Sequence, residues 1–89
     1  MTPEQGETTS AAAMAAAITV DARGLSCPLP VIRAKRGLSA VDVGAVVHVM
    51  ATDPGSVVDF TAWTQSTGHE LAAMRQEADL FEFWIRRTR

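Results

Sequence analysis

Two prolines one residue apart, Pro28 and Pro30, constrain the fold of this chain more than any other feature. Proline has no backbone N–H and a fixed φ, so a pair this close fits a helix only in its first turn. The β-branched run Ile18–Ala22 predicts a strand just before them. After them, one apolar stripe predicts a helix that ends at Val43-Gly44, with the stripe formed by Val31, Ala34, Leu38 and Val41.

The next two elements repeat this order. Ala45–Ala51 has the composition of a strand. Asp53 is suited to be the N-cap of a second helix, and Pro54 its first residue. The buried face of that helix is predicted to comprise Val57, Phe60, Trp63 and Thr67, and Gly68 stands where a left-handed residue would end it.

The last part of the sequence predicts a β-hairpin. His69–Gln76 and Leu80–Arg87 are its two strands. In the second, Phe81, Phe83 and Ile85 alternate with Glu82, Trp84 and Arg86 and so point to the opposite face. The element order βαβαββ predicts an α+β two-layer sandwich, in which two helices cover one face of a four-stranded mixed sheet. The other face would meet solvent or a partner.

Length and composition agree with one small domain. The chain has 89 residues, of which 47% are hydrophobic and 20% charged, and this is a globular composition. We expect residues 18–89 to form the domain and residues 1–17 a disordered or frayed tail. The apolar run Ala11–Ile18 is too short to span a membrane, and no Lys or Arg precedes it as a secretory signal requires. These features predict a cytoplasmic protein without membrane partners.

The charge balance argues against a nucleic-acid partner. From Ile18 onward the chain has 8 basic and 8 acidic residues, whereas a nucleic-acid-binding domain of this size would be clearly basic. Arg33, Lys35 and Arg36 do cluster on the first helix. They form either a solvated face or a docking surface for acidic partners.

Cys27 is the only cysteine and the candidate reactive residue. The sequence places it at the N-cap or first position of a helix, where the helix dipole favours an anion. We therefore expect the pKa of the thiol to fall below its ordinary value, helped by Arg23, Arg33 and Lys35. The alternative is that Cys27 is a buried small hydrophobe.

A lone thiol restricts the possible chemistry. An internal disulfide is impossible, and a disulfide oxidoreductase would need a second cysteine. One Cys and two His without close spacing do not make a metal site, and neither His48 nor His69 has a recognisable catalytic setting. Carrying a sulfur atom as a persulfide needs no cofactor.

The motifs resemble those of the TusA/SirA-like sulfur-carrier proteins, from about Ile18 to Arg87. The first match is Asp21-x-x-Gly24-x-x-Cys27-Pro28-x-Pro30, the CPxP motif with its preceding turn. Further matches are the basic helix, Thr52-Asp53-Pro54-Gly55-Ser56, Asp59-Phe60, Trp63, Gly68-His69-Glu70-Leu71 and the closing strand.

This resemblance implies the same βαβαββ fold and a persulfide on Cys27, with Asp21, Gly24, Pro28, Pro30 and Asp53 as motif residues. It implies a cysteine desulfurase or rhodanese-type protein as sulfur donor and a second protein as acceptor. The pathway would be tRNA thiolation, molybdenum-cofactor maturation or sulfur oxidation. Leu29 stands where members of the tRNA pathway carry an acid.

Two other functions remain open at this point. The chain could be a non-enzymatic RNA-binding or regulatory module of the same fold, although it lacks aromatic residues within a basic stripe. It could also be a thiol redox sensor, which would form a sulfenic acid or mixed disulfide without transferring sulfur.

Overall fold

A computed structural model describes residues 15–89 of the chain. Strands β1 (Ile18–Ala22) and β2 (Val46–Ala51) are each followed by a helix. The helices are α1 (Leu29–Ser39) and α2 (Ser56–Thr67), and strands β3 (Glu70–Glu77) and β4 (Leu80–Arg86) complete the fold. The order βαβαββ and the two-layer architecture are as the sequence predicts.

The sheet is mixed, with the spatial order β1-β2-β4-β3. β1 and β2 are parallel, whereas β4 is antiparallel to both β2 and β3. The last strand therefore lies between the second and the third. β4 is buried along most of its length and β3 is mostly exposed, so the apolar strand takes the interior position and the polar one the edge.

The core lies between the sheet and the two helices. Ala34 and Leu38 of α1 and Phe60 of α2 pack in one cluster with the inward side chains of the strands, which include Val47, Val49, Phe83 and Ile85. Phe60 and Phe83 stack with ring centroids 4.3 Å apart. Trp63 is partly buried against this cluster, as its position in the helical stripe predicts.

The predicted ends of several elements are wrong by a few residues. α1 ends at Ser39 and not at Val43-Gly44, although Val41 beyond it is still buried. The hairpin strands run over Glu70–Glu77 and Leu80–Arg86. The predicted end of α2 is confirmed, because Gly68 has φ +85° and its N–H donates to Thr64 O over 2.9 Å.

The predicted tail at residues 1–17 falls mostly outside the described part of the chain. Of its last residues, Ala17 donates its backbone N–H to Val46 O over 2.7 Å and so extends the contact between β1 and β2 by one residue. Within residues 15–89, neither helix has the length and apolar character needed to cross a bilayer.

Candidate functional site

The candidate site begins where β1 ends, in a loop fixed by Asp21. The carboxylate of Asp21 accepts a hydrogen bond from the backbone N–H of Arg23 over 3.1 Å and two from its guanidinium, both over 2.8 Å. These bonds to Arg23 lower the pKa of Asp21 to about 2. Arg23 is thus engaged by Asp21, two residues before it.

Gly24 joins this loop to the neighbouring strand. Its φ is +81°, in a region that residues with a Cβ rarely adopt. Its backbone N–H donates to the hydroxyl of Thr52 over 2.9 Å, directly after β2. The motif residues Asp21 and Gly24 therefore fix the path of the chain from β1 toward Cys27.

Cys27 lies in the turn that leads into α1, and its side chain is exposed. Pro30 lies buried in the first turn of α1, as predicted, whereas Pro28 is the N-cap and precedes that turn. Cys27 itself is one residue outside the predicted N-cap or first position. The Cys27–Pro28 peptide bond is cis, which the sequence did not indicate.

The turn around Cys27 is closed by backbone hydrogen bonds. The N–H of Leu29 donates to Ser26 O over 2.9 Å, and that of Ile32 donates to Pro28 O over 3.2 Å. The exposed cysteine is therefore held between an ordered turn and a helix. The alternative that Cys27 is a buried hydrophobe is wrong.

The predicted fall in the pKa of Cys27 is also wrong. The Asp59 carboxylate raises the pKa of Cys27, because it accepts a hydrogen bond that only the protonated thiol can donate. Partial desolvation and the negative charges of Asp59 and Asp53 raise the pKa further. Arg23 is paired with Asp21, and neither it nor Arg33 nor Lys35 is among the groups that shift the pKa of Cys27, so the expected help from basic residues is wrong. The thiol of the free protein is therefore surrounded by negative rather than positive charge.

Asp53 does not cap α2 as predicted. The N-cap is Gly55, and Asp53 contributes its backbone oxygen, which accepts from the N–H of Ser56 over 3.0 Å. The side chain of Asp53 lies beside Gly55 instead. A Cβ built on Gly55 would lie 3.2 Å from one carboxylate oxygen of Asp53 and 4.0 Å from one of Asp59. The two acids thus converge beside the first turn of α2.

Sequence reasoning missed the role of Asp59 at this site. The available signal was topological: β1 and β2 are parallel, so the helices that follow them begin at the same edge of the sheet. A residue in the first turn of α2 is therefore placed near the start of α1. Asp59 occurs in that first turn.

Apolar side chains are exposed in the first turns of both helices. Leu29 and Ile32 of α1 and Val58 of α2 are 44%, 43% and 71% exposed. We call these three residues the first-turn patch. The predicted basic cluster, Arg33, Lys35 and Arg36, is exposed farther along α1.

The two histidines lie elsewhere and have structural partners. His48 Nε2 lies 2.8 Å from Glu82 Oε1 on the face of the sheet opposite the helices, and His69 Nδ1 accepts from the N–H of Thr88 over 3.2 Å. Among residues 15–89 no three His, Cys, Asp or Glu side chains are grouped as a metal site would require.

Known proteins resemble this chain over the whole region that contains the site. A family model described as "Sulfurtransferase TusA" matches residues 18–87. The sulfur carrier protein TusA of Allochromatium vinosum is 51% identical over 69 residues, which cover 78% of this chain and 91% of that protein. The putative sulfur carrier protein YrkI of Bacillus subtilis is 41% identical over 68 residues, covering 76% of this chain and 91% of YrkI.

A solved structure shows the same fold. The crystal structure of a SirA-like protein from Desulfitobacterium hafniense superposes with a TM-score of 0.69 and is 30% identical in sequence. The match covers 81% of this chain and 99% of that one.

Proposed function

The chain belongs to the TusA sulfurtransferase family of sulfur carriers, and on that premise we propose that Cys27 accepts sulfane sulfur as a persulfide and passes it to an acceptor protein. The observation that carries this proposal is the exposure of Cys27 in an ordered turn at the start of α1. A sulfur atom in that position can attack the persulfide of a donor protein. Once it carries a persulfide, it can be attacked by a thiol of an acceptor protein.

The transfer consists of two displacements at the same sulfur atom. In the first, the Cys27 thiolate attacks the outer sulfur of a donor persulfide. A bond forms between Cys27 and that sulfur, the bond to the donor's inner sulfur breaks, and the donor leaves as a thiolate that takes up the proton lost by Cys27. In the second, an acceptor thiolate attacks the outer sulfur and Cys27 leaves as a thiolate. The oxidation state of the transferred sulfur does not change, so no external oxidant is needed.

The acidic residues around Cys27 affect how much of its thiol is in the reactive, deprotonated form. Asp59 and Asp53 keep the thiol protonated in the free protein because they raise its pKa. A partner that places positive charge against these carboxylates would reverse the effect and increase the thiolate fraction. The reactive form is then produced mainly in the complex.

Docking would use the surface next to Cys27. The first-turn patch offers apolar area at a site that a partner can cover. The basic residues Arg33, Lys35 and Arg36 extend along the exposed side of α1 and would fit acidic groups on the partner. We expect a cysteine desulfurase or a rhodanese-type protein as donor.

Intact mass spectrometry tests the proposal. The full chain is incubated with a cysteine desulfurase and free cysteine, and we expect an added mass of one sulfur atom that a reductant removes. Cys27→Ser should abolish the adduct. Because the chain has one cysteine, a sulfur adduct that a reductant removes is assigned to it.

A matched variant separates the thiol from its position. The double variant Ser26→Cys, Cys27→Ser keeps one cysteine but moves it by one residue in the same turn. We expect this variant to gain far less sulfur than the native chain under the same conditions. Equal loading of the two proteins, or no adduct on the native chain with any donor of either class, would reject the proposal.

The redox-sensor hypothesis is disfavoured by the charges at the site. Sensor cysteines are readily oxidised because they are largely thiolate at neutral pH, whereas Asp59 raises the pKa of Cys27. RNA binding stays a hypothesis. It predicts binding at moderate salt that Cys27→Ser leaves unchanged.

A further inference from the structure

The residues that follow β4 lie across the ends of both helices. The guanidinium of Arg87 donates to Val41 O over 2.5 Å, just beyond α1. Its backbone pairs with the start of β2, because Arg87 N–H donates to Ala45 O over 2.9 Å and Gly44 N–H donates to Arg87 O over 2.7 Å. Arg87 thus connects the end of α1 to the sheet.

The next two residues hold the end of α2. The guanidinium of Arg89 donates to Thr67 O, the carbonyl of the last residue of α2. The hydroxyl of Thr88 donates to Gly68 O over 2.9 Å. Cations and donors at this end satisfy carbonyls that have no partner within the helix. We call Arg87–Arg89 the strap.

His69 binds Thr88, in the middle of the strap, through a hydrogen bond that determines the protonation state of the His69 ring. The backbone N–H of Thr88 donates to His69 Nδ1 over 3.2 Å. A backbone N–H can only donate, so Nδ1 must carry a lone pair, and the ring is neutral with its proton on Nε2. The hydrogen bond from the Thr88 N–H therefore requires neutral His69. The Thr88 hydroxyl, 3.4 Å from Nδ1, donates to Gly68 O.

The charges around His69 oppose a second proton. Arg89 and Arg87 of the strap are the charged groups that act on the His69 ring. The ring centroids of His69 and of Trp63 in α2 are 5.8 Å apart. Glu70, the next residue, is bonded through its carboxylate to Arg86 over 3.1 Å. In the described part of the chain, no carboxylate lies within salt-bridge distance of the His69 ring.

We infer that the strap is an acid-sensitive device, which opens at Thr88 and Arg89 when His69 takes up a proton on Nδ1. The added proton removes the acceptor for the Thr88 N–H and places a third positive charge beside Arg87 and Arg89. Burial first, then the charges of Arg89 and Arg87, lower the pKa of His69, as expected if the closed strap excludes the charged ring. This inference does not depend on the proposed function.

Amide exchange and histidine titration, measured together by NMR on the full chain, test the inference. We expect the Thr88 amide to be protected at neutral pH and to lose protection with the same midpoint as the titration of His69. Below that midpoint the ratio of open to closed strap should rise about tenfold for each pH unit. His69→Gln should make the exchange of Thr88 independent of histidine titration. His48→Gln, which alters the other histidine, should leave the linked transition in place.

A second variant keeps the test decisive if His69→Gln does not fold. Arg89→Gln removes one charge from beside His69, so the titration of His69 should move toward its ordinary midpoint of about 6.5. The opening of Thr88 should move by the same amount. The inference is overturned if Thr88 stays protected through the titration of His69, or if the two midpoints move separately.

Discussion

At the scale of single residues, Cys27 shows which of two opposing electrostatic effects is stronger. The helix dipole contributes about 0.3–1 kcal/mol and acts only within the first turn. Cys27 lies just outside that turn, before the N-cap Pro28. Asp59 brings a full negative charge and a hydrogen-bond acceptor to the thiol, so the pKa rises instead of falling.

Asp59→Asn should therefore increase the reactivity of Cys27 at neutral pH. The amide removes the charge that favours the protonated thiol, so the pKa of Cys27 falls. For each unit of that fall the thiolate fraction rises about tenfold, while the thiolate loses about threefold in nucleophilicity. We expect a net gain of about threefold per unit in the rate of alkylation by iodoacetamide, measured as a pH profile.

Asp79→Asn is the matched control for this prediction. Asp79 is an exposed acid in the turn between β3 and β4 and does not act on Cys27. The pH profile of Cys27 alkylation in the Asp79→Asn variant should coincide with that of the native chain. Coincidence of the Asp59→Asn profile with the native one would show that Asp59 does not control the thiol.

At the scale of elements, Gly37 determines how closely α1 packs on the sheet. A Cβ at this position would lie 2.8 Å from Val20 Cγ2 and 3.4 Å from side-chain atoms of Ile18 and Val47. Judged from the sequence alone, Gly37 only weakens the helix, by about 1 kcal/mol relative to Ala. The packing gives the opposite result, because α1 could not lie this close to Val20 with a side chain at position 37.

Gly37→Ala should destabilise the protein. The gain in helix propensity, about 1 kcal/mol, is opposed by overpacking against Val20, which costs about 1–3 kcal/mol. We expect a lower urea midpoint and a net loss of up to about 2 kcal/mol in the free energy of unfolding. Ser39→Ala, at an exposed position of the same helix, should change it by less than about 0.5 kcal/mol. Stabilisation by Gly37→Ala would contradict this account of the packing.

At the scale of the whole molecule, a set of polar side chains connects all four strands on the face opposite the helices. Thr19 of β1 contacts His48 of β2 over 3.3 Å, and His48 contacts Glu82 of β4 over 2.8 Å. Glu82 accepts from Arg75 of β3 over 2.6 Å. Trp84 is 7% exposed and stacks on His48 with ring centroids 4.7 Å apart.

Glu82→Gln should lower stability most at neutral pH. Burial alone would raise the pKa of Glu82, but hydrogen bonds from Arg75 and His48 outweigh it and lower the pKa. A carboxyl whose pKa is lower in the folded state stabilises the fold above its unfolded pKa of about 4.3, and this contribution is lost as the pH falls through the folded value. Urea unfolding at neutral pH and at pH values below 4 should show the difference between native and variant shrinking in acid.

Glu77→Gln provides the control, since Glu77 is an exposed acid of the same sheet at the end of β3. We expect its unfolding free energy to follow that of the native chain at each pH. A Glu82→Gln effect that stays constant from neutral to acidic pH would mean that the charge of Glu82 contributes nothing to stability.

The sequence by itself determined the elements, their order and the family. The proline pair placed the start of α1, Gly68 the end of α2, and the alternation of Phe81, Phe83 and Ile85 the last strand, because these signals depend on local backbone sterics and on side-chain period. Only the tertiary structure decided that β4 lies between β2 and β3, that Gly37 faces Val20, and that Asp59 faces Cys27. These facts depend on distances between residues far apart in the chain. The sign of the pKa shift at Cys27 depends on them too, because the nearest charge comes from the second helix.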